Sequence, residues 1–156
     1  MKISDILNED LIEVNLPVTD KEDAINKMID LASKSGKFID IDEVRKSVFE
    51  REKLVSTGVG KGFAIPHSKT DSVSDVVASF AVLKEPIDFE SIDGEPVKFI
   101  FLLIGKDSHL NIHIKLLSRI SRLMNNDEFR DKLQHADTKE KILNLFKEEE
   151  KSYIDL

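Results

Sequence analysis

The chain contains no cysteine and no tryptophan, and only one tyrosine among its 156 residues. Without cysteine, disulfide bonds, thiolate chemistry and sulfur ligands for zinc are all excluded. With a single tyrosine and no tryptophan, stacking platforms for nucleic-acid bases or sugars are poorly supplied. These absences narrow the possible chemistry before any motif is considered.

Long apolar runs and an excess of positive charge are also missing. No stretch of 18 apolar residues occurs, and the opening MKISDILNED contains no secretory hydrophobic segment. The formal net charge of -7 argues against nucleic-acid binding and is compatible with a basic protein partner. We therefore expect a cytoplasmic protein that does not bind nucleic acid.

Residue composition is ordinary for a globular protein, with 40% hydrophobic and 34% charged residues. The length suffices for one domain with a real core, and the chain shows no repeat, low-complexity tract or linker. We expect one domain over residues 1–150 and a frayed, solvated tail over residues 151–156.

Helical and extended patterns alternate along the chain. Thr19 and Glu22 have the spacing of a capping box that opens a helix, and Gly36 is positioned to stop it. A glycine-rich loop is predicted over residues 56–62. Further helices are predicted over residues 42–53, 108–124, 127–135 and 138–149. Strands are predicted over residues 11–16, 63–65, 76–83 and 97–104. This order predicts an α/β fold in which a mixed central β-sheet is flanked by helices on both sides.

Two polar residues interrupt apolar helix faces. Val44 and Val48 define an inward face of the second helix, which reaches Arg51 if it is continued by three residues. A buried guanidinium needs a partner, and the ordinary interpretation is a pair with a neighbouring or distant carboxylate. On a later helix, His113 shares the core-facing stripe of Ile120 near the helix N-terminus, an end that favours anions. The ordinary interpretation of such a histidine is a hydrogen-bonded core residue.

A third residue, His67, directly follows Pro66 at the predicted end of a strand. Proline stiffens the local backbone, and strand ends of α/β proteins commonly carry functional sites. The ordinary interpretation is a loop histidine without a role. The preceding glycine-rich loop does not match the phosphate loop of nucleotide-binding proteins, because the Gly-Lys-Ser/Thr ending is missing.

Together the three residues are suited to phosphoryl transfer. A neutral imidazole such as His67 is a good nucleophile near pH 7, and the transfer itself needs alignment and charge stabilisation. Arg51 would hold phosphoryl oxygens and His113 would donate a further hydrogen bond. Backbone N–H groups around Thr57 and Gly58 would supply others. Neither a metal nor another cofactor is needed.

Three segments then resemble one known family. The stretch from Arg51 to Lys69, REKLVSTGVGKGFAIPHSK, closely resembles the active-site segment of the enzyme IIA domains of the fructose–mannitol class, which belong to the bacterial sugar phosphotransferase system. PIDFESIDGEPVKFIFLLI, from Pro86, and HIKLLSRISRLM, from His113, resemble two further sections in family order. The resemblance covers residues 3–146.

The resemblance implies roles for particular residues. His67 matches the phosphorylated histidine, with the phosphoryl group on the tele nitrogen, Nε2. Arg51 matches the arginine that steadies the phosphoryl group, and His113 matches the second active-site histidine. Two positions depart from the family pattern: Ser68 replaces a usual glycine and Ile114 a usual leucine.

It also implies partners. His67 would take a phosphoryl group from a small HPr-like phosphocarrier protein and pass it to a IIB domain of a sugar permease. Association with the membrane permease complex would be peripheral. Brief encounters need only a small interface, and we expect Val59 and Phe63 to contribute to an apolar rim around His67.

Three alternatives remain at this point. Nitrogen-type IIA regulators share these motifs and signal by phosphorylation-dependent binding; we favour sugar transport of the fructose type. His109 and His113 are four residues apart, as in helical zinc sites, but no third ligand occurs at a fixed spacing. A purely structural domain would leave Arg51 and His113 unexplained as a pair.

Overall fold

A mixed β-sheet lies between two layers of helices in the computed structural model, which describes residues 1–153. The strands of this part of the chain are β1 (Ile12–Leu16), β2 (Gly58–Gly60), β3 (Phe63–Ala64), β4 (His67–Lys69), β5 (Val77–Ile87) and β6 (Val97–Gly105). Its α-helices are α1 (Lys21–Ala32), α2 (Ile41–Leu54), α3 (Leu110–Met124), α4 (Asp127–His135) and α5 (Lys139–Glu150). Of the predicted tail, Lys151–Tyr153 forms a 3₁₀ turn, and residues 154–156 lie outside the described residues.

Strand pairing makes the sheet mixed, as predicted. The strand order is β1-β5-β6-β3-β2, and β4 pairs with β6 beyond the end of β3. β1 runs parallel to β5, β3 and β4 run parallel to β6, and the β5–β6 and β2–β3 pairs are antiparallel. The two central strands, β5 and β6, are buried on both faces, which explains their nearly continuous apolar sequences.

The two faces of the sheet have separate cores. The helices α1 and α2 cover one face, and α3, α4 and α5 cover the other. The second core is centred on Phe146, whose ring meets Phe80 and Phe129 edge-on at centroid distances of 5.0 and 5.2 Å. Because successive residues of a strand point to opposite faces, a site on β4 can draw side chains from both helix layers.

Helix α1 begins one residue later than predicted. Asp20, not Thr19, is the N-cap: its carboxylate accepts a hydrogen bond from the backbone N–H of Asp23 at 2.8 Å. The Asp23 carboxylate in turn accepts from the N–H of Thr19 at 2.9 Å. A carboxylate is a good cap at this positively polarised helix end. Gly36 does end the helical region, in the left-handed conformation with φ +74° after a 3₁₀ turn.

Pairing also converts parts of the predicted loop into strand. Residues 58–60 form β2 against β3, although their glycine content predicted a loop. The chain also does not leave the sheet at His67, since β4 starts there and pairs with Leu103 to Gly105 of β6. The second difference arises because β6, the partner of β4, is distant in sequence and offers its edge only in the folded chain; β2 instead pairs with the adjacent β3.

Candidate active site

His67 is held by its position at the start of β4. The backbone is fixed on both sides, because Pro66 accepts a hydrogen bond from Leu103 N–H at 3.0 Å and His67 pairs with Leu103 in register. The half-buried ring places Nδ1 2.7 Å from the carbonyl oxygen of Ile65. Because a carbonyl only accepts hydrogen bonds, Nδ1 carries the hydrogen, and the lone pair of the neutral ring is on Nε2.

The surroundings of His67 favour the neutral ring. Burial lowers the pKa of His67 below its ordinary value of 6.5. The Ile65 carbonyl opposes this pKa shift, while the positive charge of Arg51 adds to it. At pH 7 the ring is therefore predominantly neutral, with the lone pair on Nε2.

His113 lies inside the cleft, as its helical spacing predicted. The residue is only 4% exposed, and its ring centroid is 5.8 Å from that of His67 at a tilt of 52°. Burial, then the charges of His67 and Lys69, lower the pKa of His113 to about 4. Its Nδ1 is buried without a hydrogen-bond partner among residues 1–153. A buried lone pair left unpaired costs less than an unpaired N–H, so the arrangement favours the hydrogen on Nε2.

Gly105, at the end of β6, makes room for this ring. A Cβ built on Gly105 would lie 2.7 Å from Nδ1 of His113, closer than Cβ atoms come to other heavy atoms in proteins. The ring of His113 thus fills the space that any larger residue at this position would occupy. Sequence analysis missed Gly105, although a glycine closing an apolar strand was the available signal.

Arg51 occupies the last turn of α2 and is half-buried. Its Nη1 donates a hydrogen bond to the carbonyl oxygen of Val55 at 2.9 Å. The prediction that the buried stripe of Val44 and Val48 ends at Arg51 was wrong. The stripe continues by four residues, to Glu52, which is 7% exposed. Arg51 is therefore at the border of the buried face and is directed toward the cleft opening.

Glu52 holds the loop that follows α2. Its carboxylate accepts hydrogen bonds from the backbone N–H and the hydroxyl of Thr57, at 2.8 and 2.5 Å. Lys21 pairs with the same carboxylate at 3.0 Å, so the charge of Glu52 is balanced by Lys21 and not by Arg51. The N–H of Gly58 donates to Ser56 Oγ at 3.1 Å. Both N–H groups predicted to bind phosphate therefore already have partners, and Thr57 is itself buried.

The three principal predicted residues, Arg51, His67 and His113, line one open cleft of about 560 Å³. Both helix layers contribute to it, as the strand geometry of β4 allows. Its lining comprises Ser47, Glu50, Arg51, Leu54, His67, Ser68, Lys69, Asp107, His113 and Leu117. A concave site with two imidazoles and a guanidinium is suited to a small anion.

The apolar rim of the cleft differs from the prediction. Phe63 is only 1% exposed because it packs in the sheet core beside Phe99, so it does not contribute to a surface. Val59 is exposed but is absent from the cleft lining; Leu54, at 77% exposure, and Leu117 are the apolar side chains there.

The apolar spacing of Ile114, Leu117 and Ile120 predicts one inward face of α3, but Ile114 lies outside that face. Its side chain is 53% exposed. The residues that α3 buries are His113, Leu116, Ile120, Leu123 and Met124. Ile114 follows His113 directly and is therefore about 100° away around the helix.

Two further structural findings concern metals and membranes. Residues 1–153 contain no group of three histidine, aspartate or glutamate side chains arranged to hold a metal ion. That finding removes support for a zinc site at His109 and His113. Within the same residues, no helix combines the length and apolar character needed to cross a membrane.

One known family matches nearly the whole chain. The family model of the phosphoenolpyruvate-dependent sugar phosphotransferase system, EIIA 2, matches residues 5–149. The chain belongs to this family of phosphocarrier domains, which are components of phosphotransferases.

Some curated relatives of this chain are named as fructose-specific transport components and others as nitrogen regulatory proteins. The chain is 36% identical over 146 residues to a fructose-specific EIIA component of Haloferax volcanii, covering 94% of this chain and 95% of that protein. It is 38% identical over 138 residues to a nitrogen regulatory protein of Bradyrhizobium diazoefficiens, covering 86% and 87%. It is 34% identical over 151 residues to a fructose-specific EIIABC component of Bacillus subtilis, covering 97% of this chain but only 24% of that longer protein.

Solved structures share the fold. The nitrogen regulatory protein IIA-Ntr of Neisseria meningitidis superposes with a TM-score of 0.87 at 28% identity, covering 92% of this chain and 98% of that one. The mannitol IIA of Escherichia coli, solved in complex with phosphorylated IIB, superposes with a TM-score of 0.78 at 20% identity, covering 90% and 96%. The predicted architecture, a mixed sheet between two helix layers, is therefore confirmed.

Proposed function

We propose that Nε2 of His67 accepts a phosphoryl group from an HPr-like carrier and passes it to a IIB domain. The observation that carries the proposal is the 2.7 Å hydrogen bond from His67 Nδ1 to the Ile65 carbonyl. This contact fixes the tautomer, so the lone pair is on the nitrogen that does not face the backbone. Phosphorylation on Nε2 is the tele product that the family resemblance implies.

In the transfer, the Nε2 lone pair attacks phosphorus and forms a P–N bond. The P–N bond to the donor histidine breaks, and its electron pair returns to the ring nitrogen of the carrier. No proton has to be gained or lost if His67 keeps its Nδ1–H and the donor histidine keeps the hydrogen on the ring nitrogen that does not carry the phosphoryl group. The reaction then depends on alignment and on stabilising the negative charge of the phosphoryl oxygens.

Arg51 and His113 would provide that stabilisation from opposite helix layers. Arg51 uses one N–H on Val55, and the guanidinium carries five, so others can reach phosphoryl oxygens. His113, neutral because of its low pKa, would donate one hydrogen bond through Nε2–H. We leave Thr57 and Gly58 out of the phosphate site because their N–H groups are already bonded.

As the cellular role we propose fructose-type sugar uptake, with a cytoplasmic protein that associates only peripherally with its permease. The fructose-specific EIIA relative supports this role, since the two chains cover one another almost fully. The alternative is a nitrogen-type regulator, favoured by the 38% identity to the Bradyrhizobium protein and the TM-score of 0.87 to IIA-Ntr. The downstream acceptor distinguishes the two roles.

The decisive experiment is labelling with phosphoenolpyruvate, enzyme I and HPr, followed by mapping of acid-labile phosphate by mass spectrometry. We expect one phosphoryl group on His67 and none in His67→Gln. His135→Gln is the matched control, because His135 is an exposed histidine on α4 outside the cleft. Undiminished labelling of His67→Gln would contradict the proposal. Release of the label by a fructose-type IIB domain supports transport; retention of the label contradicts the transport role.

A further inference from the structure

Two serine hydroxyls meet on the wall of the cleft. Ser68 Oγ lies 2.8 Å from Ser47 Oγ. Ser68 directly follows His67 in β4, and Ser47 precedes Arg51 by one helical turn in α2. The contact thus joins the strand that carries the proposed nucleophile to the helix that carries the guanidinium.

The direction of this hydrogen bond follows from a second contact. Ser47 donates its single hydroxyl hydrogen to the carbonyl oxygen of Val44 at 2.9 Å. Ser47 Oγ is therefore the acceptor, and Ser68 is the donor. Ser68 is only 6% exposed, so its hydroxyl has little access to water as a substitute partner.

This contact matters because little else joins the two elements by hydrogen bonds. Within residues 1–153, it is the only hydrogen bond between α2 and β4. Arg51 itself is bonded within its own helix end, to Val55, and not to His67. The spacing between guanidinium and imidazole therefore depends on how α2 packs on β4, and the serine pair is the hydrogen-bonded contact between these two elements.

We propose that Ser68, acting through Ser47, is a positioning residue that sets the distance between Arg51 and Nε2 of His67. The inference rests on the proposed function. A small change in the placement of a charge-stabilising group slows a transfer step more than it weakens binding of the partner protein. The serine pair should therefore affect kcat for phosphoryl acceptance and leave KM for phospho-HPr unchanged.

The test is Ser68→Ala, with transfer from phospho-HPr followed by rapid quench. We expect kcat to fall about fivefold, the effect of losing one neutral hydrogen bond, at unchanged KM. In an Arg51→Ala background the same substitution should have almost no further effect, because it acts through Arg51. An unchanged kcat, or an equal fall in both backgrounds, would overturn the inference.

A matched control separates positioning from general loosening. Ser79 is fully buried on β5, donates to the carbonyl of Met28 in α1 at 2.9 Å, and does not line the cleft. Ser79→Ala should lose similar stability and keep its kcat. An equal fall in kcat for this variant would overturn the positioning role.

Ser47→Ala serves as a second variant if Ser68→Ala folds poorly. Ser47 is half-buried and therefore less enclosed than Ser68, so the loss of its hydroxyl, the acceptor of the pair, should disturb folding less. We expect the same fall in kcat and no added loss in the double variant; an unaltered kcat would overturn the inference. If His67→Gln is inactive while both serine variants transfer normally, only this inference fails and the proposed function stands.

Discussion

The two histidines of the cleft have the same side chain and opposite surroundings. His67 is half-buried, and its Nδ1 is bonded to a backbone carbonyl. His113 is almost wholly buried, and its Nδ1 lies over Gly105 without a hydrogen-bond partner in the described part of the chain, residues 1–153. With ring centroids only 5.8 Å apart, one ring is left with a free Nε2 lone pair and the other favours an Nε2–H donor.

The difference shows that the surroundings, not the residue type, set the tautomer and the charge of each ring. A carbonyl at hydrogen-bond distance selects the nucleophilic tautomer of His67. Enclosure against a glycine keeps His113 uncharged, so that it does not repel the neighbouring imidazole. Pairs of titratable groups with divergent environments commonly divide the tasks of a reaction in this way.

The largest expected effect comes from Arg51, the charge that distinguishes the two rings. Arg51 lowers the pKa of His67 but is not among the causes of the low pKa of His113. Arg51→Ala should slow phosphoryl transfer about 100-fold by removing charge stabilisation. It should also raise the pKa of His67 alone, measured by NMR titration of the imidazole resonances. An equal rise in the pKa of both histidines would contradict the conclusion that Arg51 acts on His67 alone.

The next effect concerns His113 as a donor. His113→Gln keeps a hydrogen-bond donor but alters its position, whereas His113→Ala removes it. We expect His113→Ala to slow transfer about 30-fold and to leave labelling of His67 complete at long times. His113→Gln should recover part of the rate in the same rapid-quench assay. Complete loss of labelling in a folded His113→Ala would mean that the two rings do not have separate tasks.

A smaller effect is expected at Gly105. Gly105→Ala would place a Cβ 2.7 Å from Nδ1 of His113, so the ring must move. Transfer should slow about tenfold, as displaced catalytic groups do. The ring contact between His67 and His113 should lengthen in a crystal structure of the variant. An unmoved ring with a normal rate would show that Gly105 does not position His113.

The smallest effect is on stability at low pH. An unfolded histidine titrates near 6.5, and His113 in the folded chain titrates at about 4. Between these values the unfolded state binds more protons, so this group lowers stability as pH falls from 6.5 toward 4.

The test is urea unfolding of His113→Gln at pH 7.5 and 5.0. The variant should lose less stability than the wild type across this interval, by an amount on the order of 1 kcal/mol. His135→Gln, at an exposed site, should behave like the wild type. Equal losses in all three proteins would refute the burial of an uncharged His113.

Much of the site could be predicted from the sequence, because the sequence gives the chemical identity of each side chain and its spacing from neighbours within one element. Pro66 indicated a rigid backbone directly before the candidate nucleophile His67. The spacing of His113 from Ile120 predicted that His113 faces the interior. The face of α2 shows the limit of such reasoning. With 3.6 residues per turn, a stripe of Val44 and Val48 continues equally well at position 51 or 52. Only the ion pair with Lys21 and the hydrogen bond from Thr57, both formed in the folded chain, make Glu52 the buried residue.

By itself, the sequence determined the alternation of helices and buried strands, the family, and the set of residues available for phosphoryl transfer. These depend on composition and on periodicities within one element. The tertiary structure decided which backbone N–H groups were already bonded, which tautomer of His67 is stable, and which hydroxyl supports β4. Those properties depend on contacts between residues far apart in the chain, such as His113 with Gly105 or Ser47 with Ser68, and such contacts exist only after the sheet and its two helix layers have assembled.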